Sequence, residues 1–294
     1  MDFPEEEPTE PEIVYEDDWL VAVRKPVRMH SAPGFGQGEL CAWVFERYPE
    51  AGTVVAPAAG SGGDPSAGLP VSRRAGSPRS EGGLLHRLDY ETSGLVLFAR
   101  SGEAFASLLE QQARGAFHKE YTALSSPSAS DEPKGSRPAR GLPEGVEGGA
   151  WAEAREALDA GALSALLAAS IERGRGGEGC GLVSAFRPYG PKGARVACLG
   201  RVASTEAAAV YRSGILAAAV RPRRSAGEEP IELRLGLARG FRHQLRAQLA
   251  WIGLPILGDP LYGGAPDSRL RLYAVKLSFA HPVSGNAFSI ELDR

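Results

Sequence analysis

The chain has 294 residues, 43% of them hydrophobic, with 33 basic and 36 acidic side chains and a net charge of −3. That length allows one large domain or two small ones and ample material for a core. No apolar run approaches the roughly 18 residues of a membrane span, Met1–Glu7 is acidic where a secretory leader would be basic, and Cys41, Cys180 and Cys198 show no ligand spacing, so a cytoplasmic location without disulfides or bound metal is expected.

The charge is unevenly placed. Nine of the acids lie in residues 1–18, which hold no Lys or Arg, leaving 27 acids against 33 basic residues beyond them. Residues 173–201 carry six basic side chains (Arg173, Arg175, Arg187, Lys192, Arg195, Arg201) against Glu178 alone. A local basic surface binds phosphates even on an acidic protein, although a solvated face would read the same way.

Residues 1–12 read as an acidic, disordered tail. Ile13–Tyr15 and Trp19–Val23 then form short strands around an Asp17-Asp18 turn. Residues 51–83 are dominated by Gly, Ala, Ser and Pro and read as a flexible insertion. Next comes Leu85-His86-Arg87-Leu88-Asp89-Tyr90-Glu91-Thr92-Ser93-Gly94, a polar turn ahead of the buried strand Leu95–Ala99. An acid in such a place either caps the turn or does chemistry, because a carboxylate buried without a partner is costly.

Residues 101–116 are predicted helical, with Ser101 as N-cap, Glu103 in the first turn and Gly115 as the stop. A polar stretch from Ser125 to Gly149 leads to a helix over Ala152–Ala169, and residues 125–180 read as a second insertion. Phe186 and Tyr189, among the bases of Ser184–Gly193, suit a loop that grips RNA as well as they suit a plain surface loop. In the last third Ile231–Leu237, Tyr273–Phe279 and Phe288–Leu292 alternate in polarity as half-exposed strands do. Between them a helix from about Phe241 to Ile252 carries the core stripe Leu245, Leu249 and Ile252, with Arg242 and Arg246 together on a neighbouring strip. Half-exposed strands favour antiparallel pairing. The predicted class is α+β, a mixed, largely antiparallel sheet with flanking helices and low-complexity insertions.

His86-Arg87-Leu88-Asp89 with Thr92-Ser93-Gly94 resembles the catalytic motif of the RluA-type RNA pseudouridine synthases. Four more segments resemble that family in the same order: Arg24-Lys25-Pro26 with Met29-His30-Ser31, Lys119–Leu124, Gly240–Arg246, and Gly253–Gly263 followed by a His281-Pro282 turn. The resemblance implies one catalytic domain over 13–294, without the additional N-terminal S4 domain of some relatives. It implies isomerisation of uridine to pseudouridine in ribosomal or transfer RNA, by a monomer needing no cofactor or metal. It casts Asp89 as nucleophile, Arg246 as its ion-pair partner, and Tyr121 as the group that stacks on the base and takes the proton from carbon 5. A covalent carboxylate adduct divides a difficult isomerisation into easier steps, on either the sugar or the base. Arg87 would help extrude the nucleotide, which must leave its stack to react. His86, Arg242, His243, Gln244, Lys25, Arg187 and Lys192 complete the expected substrate contacts, with His86 supporting the turn and Lys25 either structural or beside a phosphate.

Some residues depart from the family pattern. Phe241-Arg242 stand where Arg-Thr is usual, and Gln248 and Tyr273 replace histidines. These changes and the insertions keep a second reading open, an RNA-binding protein on the same fold with lost or reduced catalysis. A carboxylate hydrolase would want a second acid close by. Gly34-Phe35-Gly36-Gln37-Gly38 lacks dinucleotide spacing, and Ser93 sits in no Gly-x-Ser-x-Gly elbow.

Overall fold

The computed structural model describes residues 8–34, 38–55, 81–128, 141–173, 179–189, 193–199, 209–222 and 229–292. The chain forms two compact units, Met1–Lys119 with Tyr273–Arg294, and Glu120–Leu272.

In the first unit β1 (Glu12–Glu16), β2 (Leu20–Lys25) and β3 (Ser93–Ala99) pair antiparallel in that order. The expected turn between β1 and β2 is built by Asp17, whose carboxylate accepts from the backbone of Trp19 and Leu20 at 2.8 and 2.7 Å. β9 (Leu272–Ala280) lies parallel to the start of β3, with Ser93 opposite Tyr273 and Gly94 opposite Ala274, and β10 (Ala287–Glu291) pairs antiparallel with β9. β3 is buried along its whole length, as its apolar run requires. The short helices α1 (Leu40–Arg47) and α2 (Pro49–Thr53) precede it. α3 (Gly102–Ala113) follows it, with Ser101 Oγ accepting from Ala104 N at 3.1 Å and Gly115 at positive φ past its end. Phe105, Leu108 and Phe117 bury against Leu95, Leu97 and Phe279.

The second unit is a sheet ordered β4 (His118–Ser125), β8 (Ile231–Leu237), β7 (Val210–Val220), β5 (Cys180–Tyr189), β6 (Arg195–Cys198). The β8–β7, β7–β5 and β5–β6 pairs are antiparallel, so the α+β class with a mixed, largely antiparallel sheet holds. Two expectations change. The helix over 152–169 is two helices, α4 (Gly148–Glu156) and α5 (Ala160–Arg173), because Leu158 turns left-handed and Asp159 Oδ1 caps Ala162 N at 2.9 Å. Ser184–Tyr189 belongs to β5 and is not a loop. The expected acidic tail and the insertion at 51–83 fall largely outside the described residues.

Gly94 is where the Asp89 turn enters β3. Its φ is +118°, and an added Cβ would press on the backbone of Ala274. Gly94→Ala is therefore expected to lower stability by about 3 kcal/mol, combining backbone strain with a lost strand contact. Urea denaturation of the variant checks this.

Candidate active site

In the first unit the site centres on the turn that carries Asp89. Leu85 N donates to Leu97 O at 3.0 Å, and Thr92 N donates to Asp89 O at 3.1 Å, so the segment leaves the sheet, turns and re-enters as β3. Two residues hold the turn, Lys25 at the end of β2 and Ser31 in the loop that follows. Ser31 Oγ donates to Leu88 O at 3.0 Å and accepts from Leu88 N at 3.1 Å. Lys25, fully buried, directs Nζ to the carbonyls of Pro26 and Met29 at 2.8 Å and of Tyr90 at 3.4 Å. Its place is behind the turn, the structural one of its two expected roles and not the substrate contact.

Around this frame Asp89 is half-buried, while Arg87 and Tyr90 are exposed. Arg87 Nη1 lies 3.4 Å from Glu81 Oε1 at the surface, a pairing worth little in water. His86 points inwards, 8% exposed, with neither ring nitrogen hydrogen-bonded. Burial, reinforced by the charge of Lys119, drives its pKa well below the usual histidine value. A buried, neutral ring is a support for the turn and no phosphate ligand. Thr92 Oγ1 and Ser93 Oγ are also buried without a hydrogen-bond partner.

In the second unit α6 (Gln244–Trp251) begins three residues later than expected, because His243 takes a left-handed conformation and the Gln244 side chain turns back to accept from Phe241 N at 2.9 Å. Arg242 therefore precedes the helix and does not share a strip with Arg246. It is exposed and donates to the carbonyls of Gly193 and, at 3.4 Å, Arg195. Gln244 is buried, donating to Arg212 O at 3.2 Å and Ser213 Oγ at 2.8 Å, and is thus a structural residue. Gln248 accepts from Ser213 Oγ at 2.7 Å and donates to Leu182 O at 3.0 Å and Ser184 Oγ at 3.1 Å, tying α6 to β5 and β7.

Arg246 makes a two-pronged pair with Asp259, Nε to Oδ2 at 2.7 Å and Nη2 to Oδ1 at 2.8 Å, the two side chains being 4% and 0% exposed. Asp259 Oδ1 also accepts from Leu261 N at 3.0 Å and Tyr262 N at 3.3 Å. Tyr262 in turn accepts from Val196 N at 2.9 Å and lies 3.1 Å from His243 Nδ1. Asp259 is the residue that sequence reasoning missed. Its signal was an acid in the otherwise apolar stretch Leu254–Tyr262, where a buried carboxylate demands a cation.

Tyr121 is buried on β4, and Arg187 is exposed on β5. Phe186 is buried and stacked on Phe241 at 5.1 Å, so it is core and not a surface for RNA bases. Lys192 lies outside the described residues. Lys119, next to the tyrosine segment, is 7% exposed, and burial lowers its ammonium to about 8.

Two outcomes follow from these burials. Asp259→Ala strands a buried guanidinium and should cost about 3–5 kcal/mol, read as a lower urea midpoint. Lys119 is penalised in full below pH 8, and stability should rise with pH between about 8 and 10.5, where only the unfolded chain still holds the proton. Lys119→Met should therefore be more stable than the parent at pH 7, by up to about 3 kcal/mol. That difference should shrink steadily in urea titrations from pH 8 to 10.

A family model described as RNA pseudouridylate synthase matches residues 20–144. The chain is 26% identical over 291 residues to "Ribosomal large subunit pseudouridine synthase D" of Xanthomonas campestris pv. campestris, covering 93% of this chain and 62% of that protein. It is 26% identical over 286 residues to "Dual-specificity RNA pseudouridine synthase RluA" of Vibrio vulnificus, covering 94% of this chain and 81% of that one. Among solved structures, "Human RNA Pseudouridylate Synthase Domain Containing 1" matches 97% of this chain and 84% of its own, with a TM-score of 0.54 at 15% identity, a likeness of fold. With the Asp89 turn inside the matched region, the chain is similar to the RNA pseudouridine synthases, by the family model over residues 20–144 and at 26% identity to these two relatives.

Proposed function

We propose that this chain isomerises specific uridines to pseudouridine in structured RNA, with Asp89 as nucleophile. The observation that carries the reading is the Asp89 turn itself. It is pinned from behind by Ser31 and Lys25, and it leaves the carboxylate half-buried between two exposed side chains. A nucleophile held on a rigid frame meets its carbon without reorganising.

The remaining roles follow the family motif. The uridine is extruded with help from Arg87, the bond from N1 to the ribose breaks, and Asp89 holds the intermediate covalently. The uracil turns, carbon 5 joins the ribose and the bond to Asp89 breaks to give back its carboxylate, and Tyr121 takes the proton that carbon 5 loses while N1 gains one. Arg246 supplies the positive charge that keeps Asp89 a carboxylate. Its fork on Asp259 uses Nε and Nη2. The names of the relatives favour large-subunit ribosomal RNA as the target, with transfer RNA second. Both compact units act as one catalytic domain in this reading, and one chain supplies every named group. Among the described residues no helix is long and apolar enough to cross a membrane.

The test is a transcriptome-wide pseudouridine map, by carbodiimide-adduct sequencing, of cells with the protein, without it, and with Asp89→Ala. One or a few sites should disappear in both altered strains, a loss of at least about a thousandfold for removal of a nucleophile. An unchanged map, with purified protein still binding RNA, would overturn the enzyme reading in favour of an RNA-binding one.

A further inference from the structure

The residue after the proposed nucleophile has an unusual setting. Tyr90 is 42% exposed, one of few large hydrophobic side chains so placed among the described residues. It is also anchored at both backbone and ring. Its backbone carbonyl accepts from buried Lys25, and its ring lies 4.6 Å from the ring of His30, tilted by 37°. His30 is fixed too, since Leu40 N donates to its carbonyl at 2.8 Å. Arg28 holds a left-handed conformation in the same loop, φ +58°, a strain that persists only where the surroundings impose it. An exposed ring is ordinary. An exposed ring braced by a second ring, a buried cation and a strained loop is pre-organised.

Two arginines on these segments are held by carboxylates at the surface. Arg28 lies 3.8 Å from Glu91 with side chains 65% and 38% exposed, and Arg87 is paired with Glu81 at 3.4 Å. Such surface pairs are weak and give way to a phosphate, which accepts stronger charge-assisted bonds. An exposed aromatic ring, with weakly paired arginines on its own segment and on the loop that braces it, combines the groups that bind unpaired nucleotides, the base on the ring and the backbone on the cations.

We infer that Tyr90, braced by His30, is a stacking platform for an unpaired RNA base beside the uridine at Asp89, with Arg28 and Arg87 holding the adjoining phosphates. The inference rests on the reading of the chain as an RNA pseudouridine synthase, and it adds the contact that selects an unstacked neighbour for the target.

The full-length protein is titrated into a uridine decamer carrying one central 2-aminopurine, whose fluorescence falls when it stacks. Wild type should quench it. Tyr90→Ala should abolish quenching and weaken binding about tenfold, with an unchanged dependence on salt. Tyr90→Phe should keep both quenching and affinity, and Tyr90→Leu, which retains bulk without a π-face, should lose quenching. Arg28→Ala should instead reduce the salt slope by about one. No quenching by wild type, wild-type behaviour of Tyr90→Ala, or failure of Tyr90→Phe to the same degree as Ala would each overturn the platform. Circular dichroism melts confirm that each variant is folded, and Tyr90→Leu serves if Ala is not. Pseudouridine formation by wild type is measured in parallel on unmodified large-subunit ribosomal RNA and transfer RNA transcripts. Quenching without isomerisation sinks the enzyme reading alone, and isomerisation without quenching sinks the platform alone.

Discussion

A guanidinium and a carboxylate taken out of water together set the terms for the second unit. Arg246 and Asp259 are tolerable in the interior only because their two-pronged geometry satisfies both groups and because backbone N–H groups of the following turn complete the carboxylate. That requirement spreads outwards. Tyr262 must sit where it can take the Val196 N–H, and α6 must run so that Gln244 and Gln248 reach Ser213, Ser184 and the carbonyls of β5 and β7. Six consecutive residues of the helix, Gln244–Leu249, are buried, polar side chains as much as apolar ones. Such a network specifies one arrangement, since each member loses a partner if another shifts.

The first unit handles polarity differently. Lys25 and Ser31 are satisfied by backbone carbonyls and give a stiff frame, whereas His86, Thr92 and Ser93 keep buried polar atoms without hydrogen bonds. Buried groups left in that condition lower stability, and they cluster on both sides of Asp89 in sequence. Stiffness behind the turn and unspent bonding capacity around it are what a site of covalent chemistry asks of its surroundings.

Much of this was legible beforehand. The alternating strands near the C-terminal end, the Ser101 cap and the apolar run after Gly94 each rest on local chemistry that tertiary packing did not override. The Asp89 motif was legible through its resemblance to a known family, since the residues alone left open whether the acid caps a turn or does chemistry. What escaped was non-local. Nothing near Arg246 in sequence announces that Asp259 will clasp it, and burial of Lys25, Gln244 and Phe186 depends on partners tens of residues away. The break at Leu158 had a local sign in Asp159, an N-cap residue in the middle of an apparent helix, but the apolar periodicity ran straight through it.

The helices of the central stretch have one consequence for how such a protein can change. Trp151 of α4 is buried and donates its indole N–H to the carbonyl of Ile252, where α6 ends, and Gly253 at that point leaves no room for a side chain against Arg155. A stretch that reads as an accessory inserted between two motifs has become the cap of the helix bearing Arg246. Lineages that shorten or swap the segment must supply another donor for that carbonyl. The insert is therefore no longer a detachable module, and its length can vary only in the parts that do not touch α6.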